Sequence, residues 1–253
     1  MPLIPLSWGI AFLLVDIIVR IYLFSTYRIL IRVFLVLHMN KAIVIGGSRG
    51  MGMAITSSLK SIGYDVIATS KKDLDTSNLS SVKDFIKNHS ETDVLVLNTG
   101  GPPAKEFFSV TEKEWMQYHN QLFLGFCTIL QKIKINEGGY VFLISSSVIK
   151  EPIPKLIISS AYRSAFASVF KILSKSFAKK NISCINIASG PINTDRTKEL
   201  IDDIEDYKKL LPMKRLGEPK EIGDFVKGII ENNIKYLSGV VINFDGAASN
   251  YIY

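Results

Sequence analysis

A short apolar run over residues 41–45 leads directly into the stretch GGSRGMG, and that junction constrains the fold more than any other feature of the chain. Gly46, Gly50 and Gly52 stand in a G-x-x-x-G-x-G pattern, followed by an amphipathic segment that reaches about Ile62 and stops at Gly63. The spacing predicts a buried strand, a sharp turn and a helix. Residues without a Cβ let the backbone of such a turn approach a bulky anion, and the first N–H groups of the helix then face it. The candidate cradle for a dinucleotide pyrophosphate is therefore Gly46, Ser48, Arg49, Gly50, Met51 and Gly52.

Strand and helix signals alternate through the remainder. Apolar strand runs are expected at 65–69, 93–98, 140–145, 183–188 and 239–243. Helices are expected at 81–88, 158–179 and 219–230, together with a long one over 111–133 whose Thr111 and Glu114 spell a capping box. Strands that are apolar throughout, separated by helices, form a parallel sheet covered on both faces. The expectation is an α/β fold: one doubly wound Rossmann-like domain over 39–253, with a parallel sheet of about seven strands.

Residues 1–38 are a separate apolar stretch, interrupted only by Asp16, Arg20, Arg28 and Arg32. They lack the basic start and small-residue cleavage site of a secretory signal. Three readings stand open: a membrane-spanning anchor within 3–37, a helix lying in the membrane interface with its charges outward, or an overlong start before Met39. The catalytic domain is expected to be cytoplasmic, membrane-associated under the first two readings.

The net charge of +7 is dispersed in nothing longer than pairs such as Lys71-Lys72 and Lys179-Lys180. No basic run alternates with aromatics, so no nucleic-acid partner is expected. Cys127 and Cys184 have no metal-ligand spacing, which rules out a disulfide framework and suits a reducing compartment. His38, His89 and His119 have no triad partners, and no metal site is expected.

Cofactor choice is read at the end of the second strand. An acid there would hold the adenosine ribose and repel a 2′-phosphate. Ser70 stands at that point with Lys71, Lys72 and Arg49 nearby, which favours NADP(H) over NAD(H). The plainer alternative is that these cations are solvated surface charges.

In this order the motifs resemble the short-chain dehydrogenase/reductase family, over about 40–245, and its 3-oxoacyl carrier-protein reductase branch in particular. The glycine turn matches. Asp75 is similar to the acid that contacts adenine, Asn98-Thr99-Gly100 to the N-x-G segment beside the cofactor, and Ser189-Gly190-Pro191-Ile192-Asn193-Thr194 to the segment around the nicotinamide carboxamide. From that segment the resemblance implies cofactor contacts by Gly190, Ile192 and Thr194. LPMKRLGEPKEI at 211–222 and the closing SGVVINFDG look like the family too.

The catalytic constellation departs from it. Ser146 fits the family serine that orients the carbonyl, but Ser159 stands at the tyrosine position and Arg163 at the lysine position. Arg163 is expected to hold the cofactor ribose. Proton delivery is assigned to Ser159, to Tyr162 displaced into the pocket and acidified by Arg163, or to water. The family's helix asparagine maps to Gln121 or Asn120.

The expected activity is NAD(P)(H)-dependent hydride transfer to a small-molecule or acyl-carrier-linked carbonyl, with a 3-oxoacyl thioester among the substrates. The alternative is a catalytically weak or inactive dinucleotide-binding sensor or assembly subunit. The resemblance implies a homodimer or homotetramer, and the substrate loop at 196–211 carries no readable selectivity.

Overall fold

The computed structural model describes residues 40–252; the expectations for residues 1–38 lie outside them. Six strands pair in parallel in the order β2-β1-β3-β4-β5-β6. They are β1 (Lys41–Val44), β2 (Asp65–Ala68), β3 (Glu91–Leu97), β4 (Lys134–Ser146), β5 (Ser183–Ser189) and β6 (Val240–Phe244). The helices between them are α1 (Gly50–Ser61), α2 (Leu79–Asn88), α3 (Glu112–His119), α4 (Gly125–Lys132), α5 (Ile157–Ala178), α6 (Asp195–Leu200), α7 (Ile204–Leu210) and α8 (Pro219–Glu231).

Period-two alternation splits the strands between two cores. Ile43, Leu95, Val141 and Cys184 face Phe126 and Ile129 of α4 and Phe166 and Phe170 of α5. Val44, Val96, Phe142 and Ile187 face Ile55 and Leu59 of α1 and Ile222, Val226 and Ile229 of α8. Each such side chain contributes about 1.5–3 kcal/mol on full burial. The doubly wound expectation is thus borne out, and sheet order reverses between β1 and β3. Ligands of open parallel sheets bind at that reversal, beyond the strand C-termini.

One expectation is corrected. The described residues hold six strands, not about seven. Only residues 69–78 lie between β2 and α2, too few for a crossover and a further parallel strand. They form turns instead, in which the Asp73 carboxylate accepts from the Ser70 N–H at 2.8 Å and Asn78 caps α2. The long helix expected over 111–133 is present as α3 and α4, joined without a gap through a π turn, Asn120–Leu124. Its start is as read: Thr111 and Glu114 form a complete capping box. The loop at 196–211 contains α6 and α7. No helix among the described residues is long and apolar enough to cross a membrane.

Candidate active-site cleft

The glycine turn is built by close backbone contact. Gly46 (φ +62°) and Gly50 (φ +52°) adopt left-handed conformations that favour glycine. A Cβ on Gly52 would lie 2.0 Å from the Gly46 carbonyl oxygen. Asn98 Nδ2 donates to that same carbonyl at 3.0 Å, and the Gly46 N–H donates to Thr69 Oγ1 at 3.1 Å. The turn is therefore fastened to the ends of β2 and β3. Arg49 caps α1 without a side-chain hydrogen bond, and the first turn of α1 holds no acid. Its leading N–H groups and positive dipole end are left for an anion.

From this turn a cleft of about 460 Å³ runs along the strand ends. Gly46, Ser48, Arg49, Gly50 and Met51 line one end, with Ser70, Lys71 and Asp75 beside them. Asn98, Thr99, Gly100 and Gln121 line its floor, and Ser146, Ser159 and Arg163 line the far end with Gly190, Ile192 and Thr194 opposite. Of the expected site residues, two do not line it. Gly52 packs beneath the turn, and Tyr162 faces elsewhere.

Local chemistry positions each group. Ser146 ends β4, where its Oγ accepts from the Val148 N–H at 3.5 Å. Ser159 and Arg163 sit one turn apart on α5, and Arg163 Nε donates to Ser159 Oγ at 3.2 Å. The guanidinium also donates to Ile144 O at 3.2 Å and Thr99 O at 3.4 Å, which joins α5 to the ends of β4 and β3. Burial, and then the charge of Arg196, push its pKa down to about 10, so it stays protonated at neutral pH. Three of its five N–H donors are engaged, and two remain.

The expectation for Tyr162 is corrected. One residue along a helix turns the side chain by about 100°, so Tyr162 points away from the Arg163 face and toward α3. Its hydroxyl donates to Trp115 O at 3.1 Å, and its ring packs edge-on against Trp115 and His119. Burial pushes its pKa up, not down. The choice between Gln121 and Asn120 falls to Gln121. Its amide donates to Gly100 O at 2.7 Å and Thr99 Oγ1 at 3.3 Å, whereas Asn120 donates to Ser77 O at 3.4 Å.

The cofactor-selecting corner is less open than the sequence suggests. Ser70 Oγ donates to Asp73 at 2.7 Å, and Lys71 pairs with Asp75 at 3.6 Å. Arg49 and Lys72 have no carboxylate within ion-pair distance among the described residues. Across the cleft, a Cβ on Gly50 would meet Thr194 Cγ2 at 3.4 Å, so the glycine turn and the 189–194 segment nearly touch. That segment is held by Gly217 N–H to Pro191 O at 3.0 Å and Asn193 N–H to Gly217 O at 2.7 Å.

Arg196 and Tyr118 are among the cleft residues that escaped the sequence reading. Arg196 on α6 donates to Pro102 O and pairs with Glu199 at 3.3 Å, which ties the substrate loop to the loop after β3. Tyr118 on α3 lines the cleft; its spacing of three from Gln121 was the available signal.

The family model described as enoyl-(acyl carrier protein) reductase matches residues 74–248. The chain is 26% identical over 239 residues to the 3-oxoacyl-[acyl-carrier-protein] reductase FabG of Chlamydia trachomatis, covering 81% of this chain and 95% of that protein. It is 25% identical over 226 residues to the corresponding reductase MabA of Mycobacterium bovis, covering 82% and 92%. Among solved structures, a blue fluorescent protein from a metagenomic library in complex with NADPH superposes with a TM-score of 0.74 at 21% identity, over 83% of this chain and 98% of that one. A short-chain dehydrogenase/reductase from Serratia marcescens gives 0.74 at 21%, also over 83% and 98%. The chain belongs to the short-chain dehydrogenase/reductase family and is similar to its 3-oxoacyl-[acyl-carrier-protein] reductases.

Proposed function

We propose that the chain reduces the carbonyl of a 3-oxoacyl thioester, free or carrier-linked, with NADPH preferred over NADH. The observation that carries this reading is one cleft with a pyrophosphate-sized glycine cradle at one end and Ser146, Ser159 and Arg163 at the other. The residues fit the cofactor: a Cβ at Gly52 would fill the cradle's support, and the α1 N-terminus has no side-chain cap. When bound, the reduced nicotinamide supplies a hydride to the carbonyl carbon.

The chain's own groups do the rest. The glycine turn and α1 hold the pyrophosphate, and Asp75 borders the adenine. Arg49 and Lys71 face a 2′-phosphate. Asn98, Thr99 and Gly100 support the cofactor from the floor, and Gly190, Ile192 and Thr194 close on the carboxamide. The two N–H groups that Arg163 has left point its charge at the ribose. The Ser146 and Ser159 hydroxyls donate to the substrate oxygen. Phe108, Met116 and Ile172 are exposed apolar side chains that a homodimer or homotetramer would cover. Unpaired Cys127 and Cys184 suit a reducing, cytoplasmic setting.

Loss of NADPH absorbance with acetoacetyl thioesters tests the reading. Wild type should turn over, and Ser146→Ala should lower kcat by about 10²–10³-fold, the usual loss for one oxyanion donor. Tight NADPH binding without oxidation of any 3-oxoacyl thioester would instead support a dinucleotide sensor.

A further inference from the structure

We infer that Tyr118 delivers the proton to the substrate oxygen, an inference that rests on the carbonyl-reduction reading above. Its position is fixed by α3. Trp115 and His119, four apart, face α5 and hold the ring of Tyr162. Tyr118 lies on α3, and Gln121, three residues on, lies in the π turn that continues it. Both line the cleft.

Contacts then connect Gln121 to the reacting end. The Gln121 amide touches Thr99 Oγ1 and Gly100 O, Arg163 Nη2 reaches Thr99 O, and Arg163 Nε reaches Ser159 Oγ. Tyr118 thus lines the same cleft as Gln121, which shares Thr99 with Arg163.

Competing groups are committed elsewhere. The Tyr162 hydroxyl is spent on Trp115 O. Ser159 Oγ accepts from Arg163, and an aliphatic hydroxyl is a far weaker acid than a phenol, whose ordinary pKa is about 10. Tyr118 is the one phenol lining the cleft among the described residues, and its hydroxyl makes no hydrogen bond among them. The chain has thereby moved the phenol from α5 to α3 while leaving it in the same cleft.

The step balances. A hydrogen and two electrons arrive at the carbonyl carbon from the reduced nicotinamide, and the C=O π pair moves onto oxygen. The Tyr118 O–H bond breaks as the new O–H bond forms. The phenolate left behind recovers a proton from water through the open cleft, so carbonyl, NADPH and a proton give alcohol and NADP⁺.

Tyr118→Phe, Tyr118→His and wild type should be compared by NADPH fluorescence titration and by steady-state reduction of acetoacetyl thioester across pH. The account expects NADPH affinity within about twofold in all three, because Tyr118 is not needed to hold the cofactor. It expects kcat of Tyr118→Phe to fall by about 10²–10⁴-fold, the usual contribution of a general acid. It expects Tyr118→His to recover part of that loss, with activity falling above about pH 6.5, where imidazole loses its proton. Undiminished kcat in Tyr118→Phe, or a loss that histidine does not recover at low pH, overturns the inference alone. Absence of wild-type turnover despite NADPH binding overturns the carbonyl-reduction reading and the inference with it.

Discussion

Replacing Gly52 with alanine tests how the glycine cradle is built. The new Cβ would stand 2.0 Å from Gly46 O and 2.8 Å from Gly46 C. Both are rigid backbone atoms, so the carbonyl must retreat by about 1 Å to reach even the tightest contact real Cβ atoms make, and by about 1.4 Å to reach ordinary contact. Its retreat breaks the 3.0 Å bond from Asn98 Nδ2. Overpacking costs about 1–3 kcal/mol and the lost hydrogen bond about 0.5–1.5 kcal/mol, which sum to about 1.5–4.5 kcal/mol. For a domain of this size that lowers Tm by about 3–18 °C. The displaced turn should also weaken NADPH binding by about 10²-fold, the usual consequence of a misplacement near 1 Å. Scanning calorimetry and NADPH fluorescence titration read the two effects. Gly228→Ala is the control: a Cβ there meets nothing within 4 Å on α8, and helix propensity should raise stability by about 0.5–1 kcal/mol. A Gly52→Ala protein with wild-type Tm and wild-type NADPH affinity would refute the reasoning.

Other perturbations have equally defined outcomes. Ser70→Asp places a second carboxylate beside Asp73 at the end of β2; NADPH affinity should fall by about 10–10²-fold with NADH little changed, and an equal loss for both would remove the 2′-phosphate assignment. Tyr162→Phe should keep kcat and lose about 0.5–1.5 kcal/mol of stability with its bond to Trp115 O, and a large loss of kcat would return Tyr162 to the chemistry. Acid unfolding should follow two capping carboxylates: Lys105 holds Glu114 down to about 2, and Arg215 does the same to Glu221. Because their folded pKa values lie below the ordinary 4.5, their contribution is complete above about pH 4.5 and is lost as pH falls toward 2. The urea midpoint should therefore fall less steeply over that window in Glu114→Gln and Glu221→Gln; slopes equal to wild type would show that neither pairing operates.

Much of this was legible from local pattern. The continuous apolar strands, the glycine turn and the Thr111–Glu114 capping box depend on residues close in sequence, and the structure has them where the pattern puts them. What was not legible depends on geometry between elements. The π turn at Asn120–Leu124 leaves no compositional mark, and only the folded chain shows Gln121 lining the cleft while Asn120 bonds Ser77 O. Adjacency to Arg163 drew Tyr162 into the expected site, although the 100° step around α5 carries it to Trp115. The expectation of about seven strands exceeded the six apolar runs in the sequence, and the ten residues available after β2 allow only turns. Arg163 reads in sequence as a cofactor cation; its bonds to Ile144 O and Thr99 O show that it also joins two strand ends, which only the folded chain displays.

The most direct test of carbonyl reduction follows the hydride itself. Purified protein should be given NADPH deuterated on the nicotinamide C4, with acetoacetyl thioester, and the product analysed by mass spectrometry and NMR. The account predicts deuterium on the new hydroxyl-bearing carbon and matching loss of NADPH. NADPH that binds but is never consumed, with thioester recovered unlabelled, would contradict it.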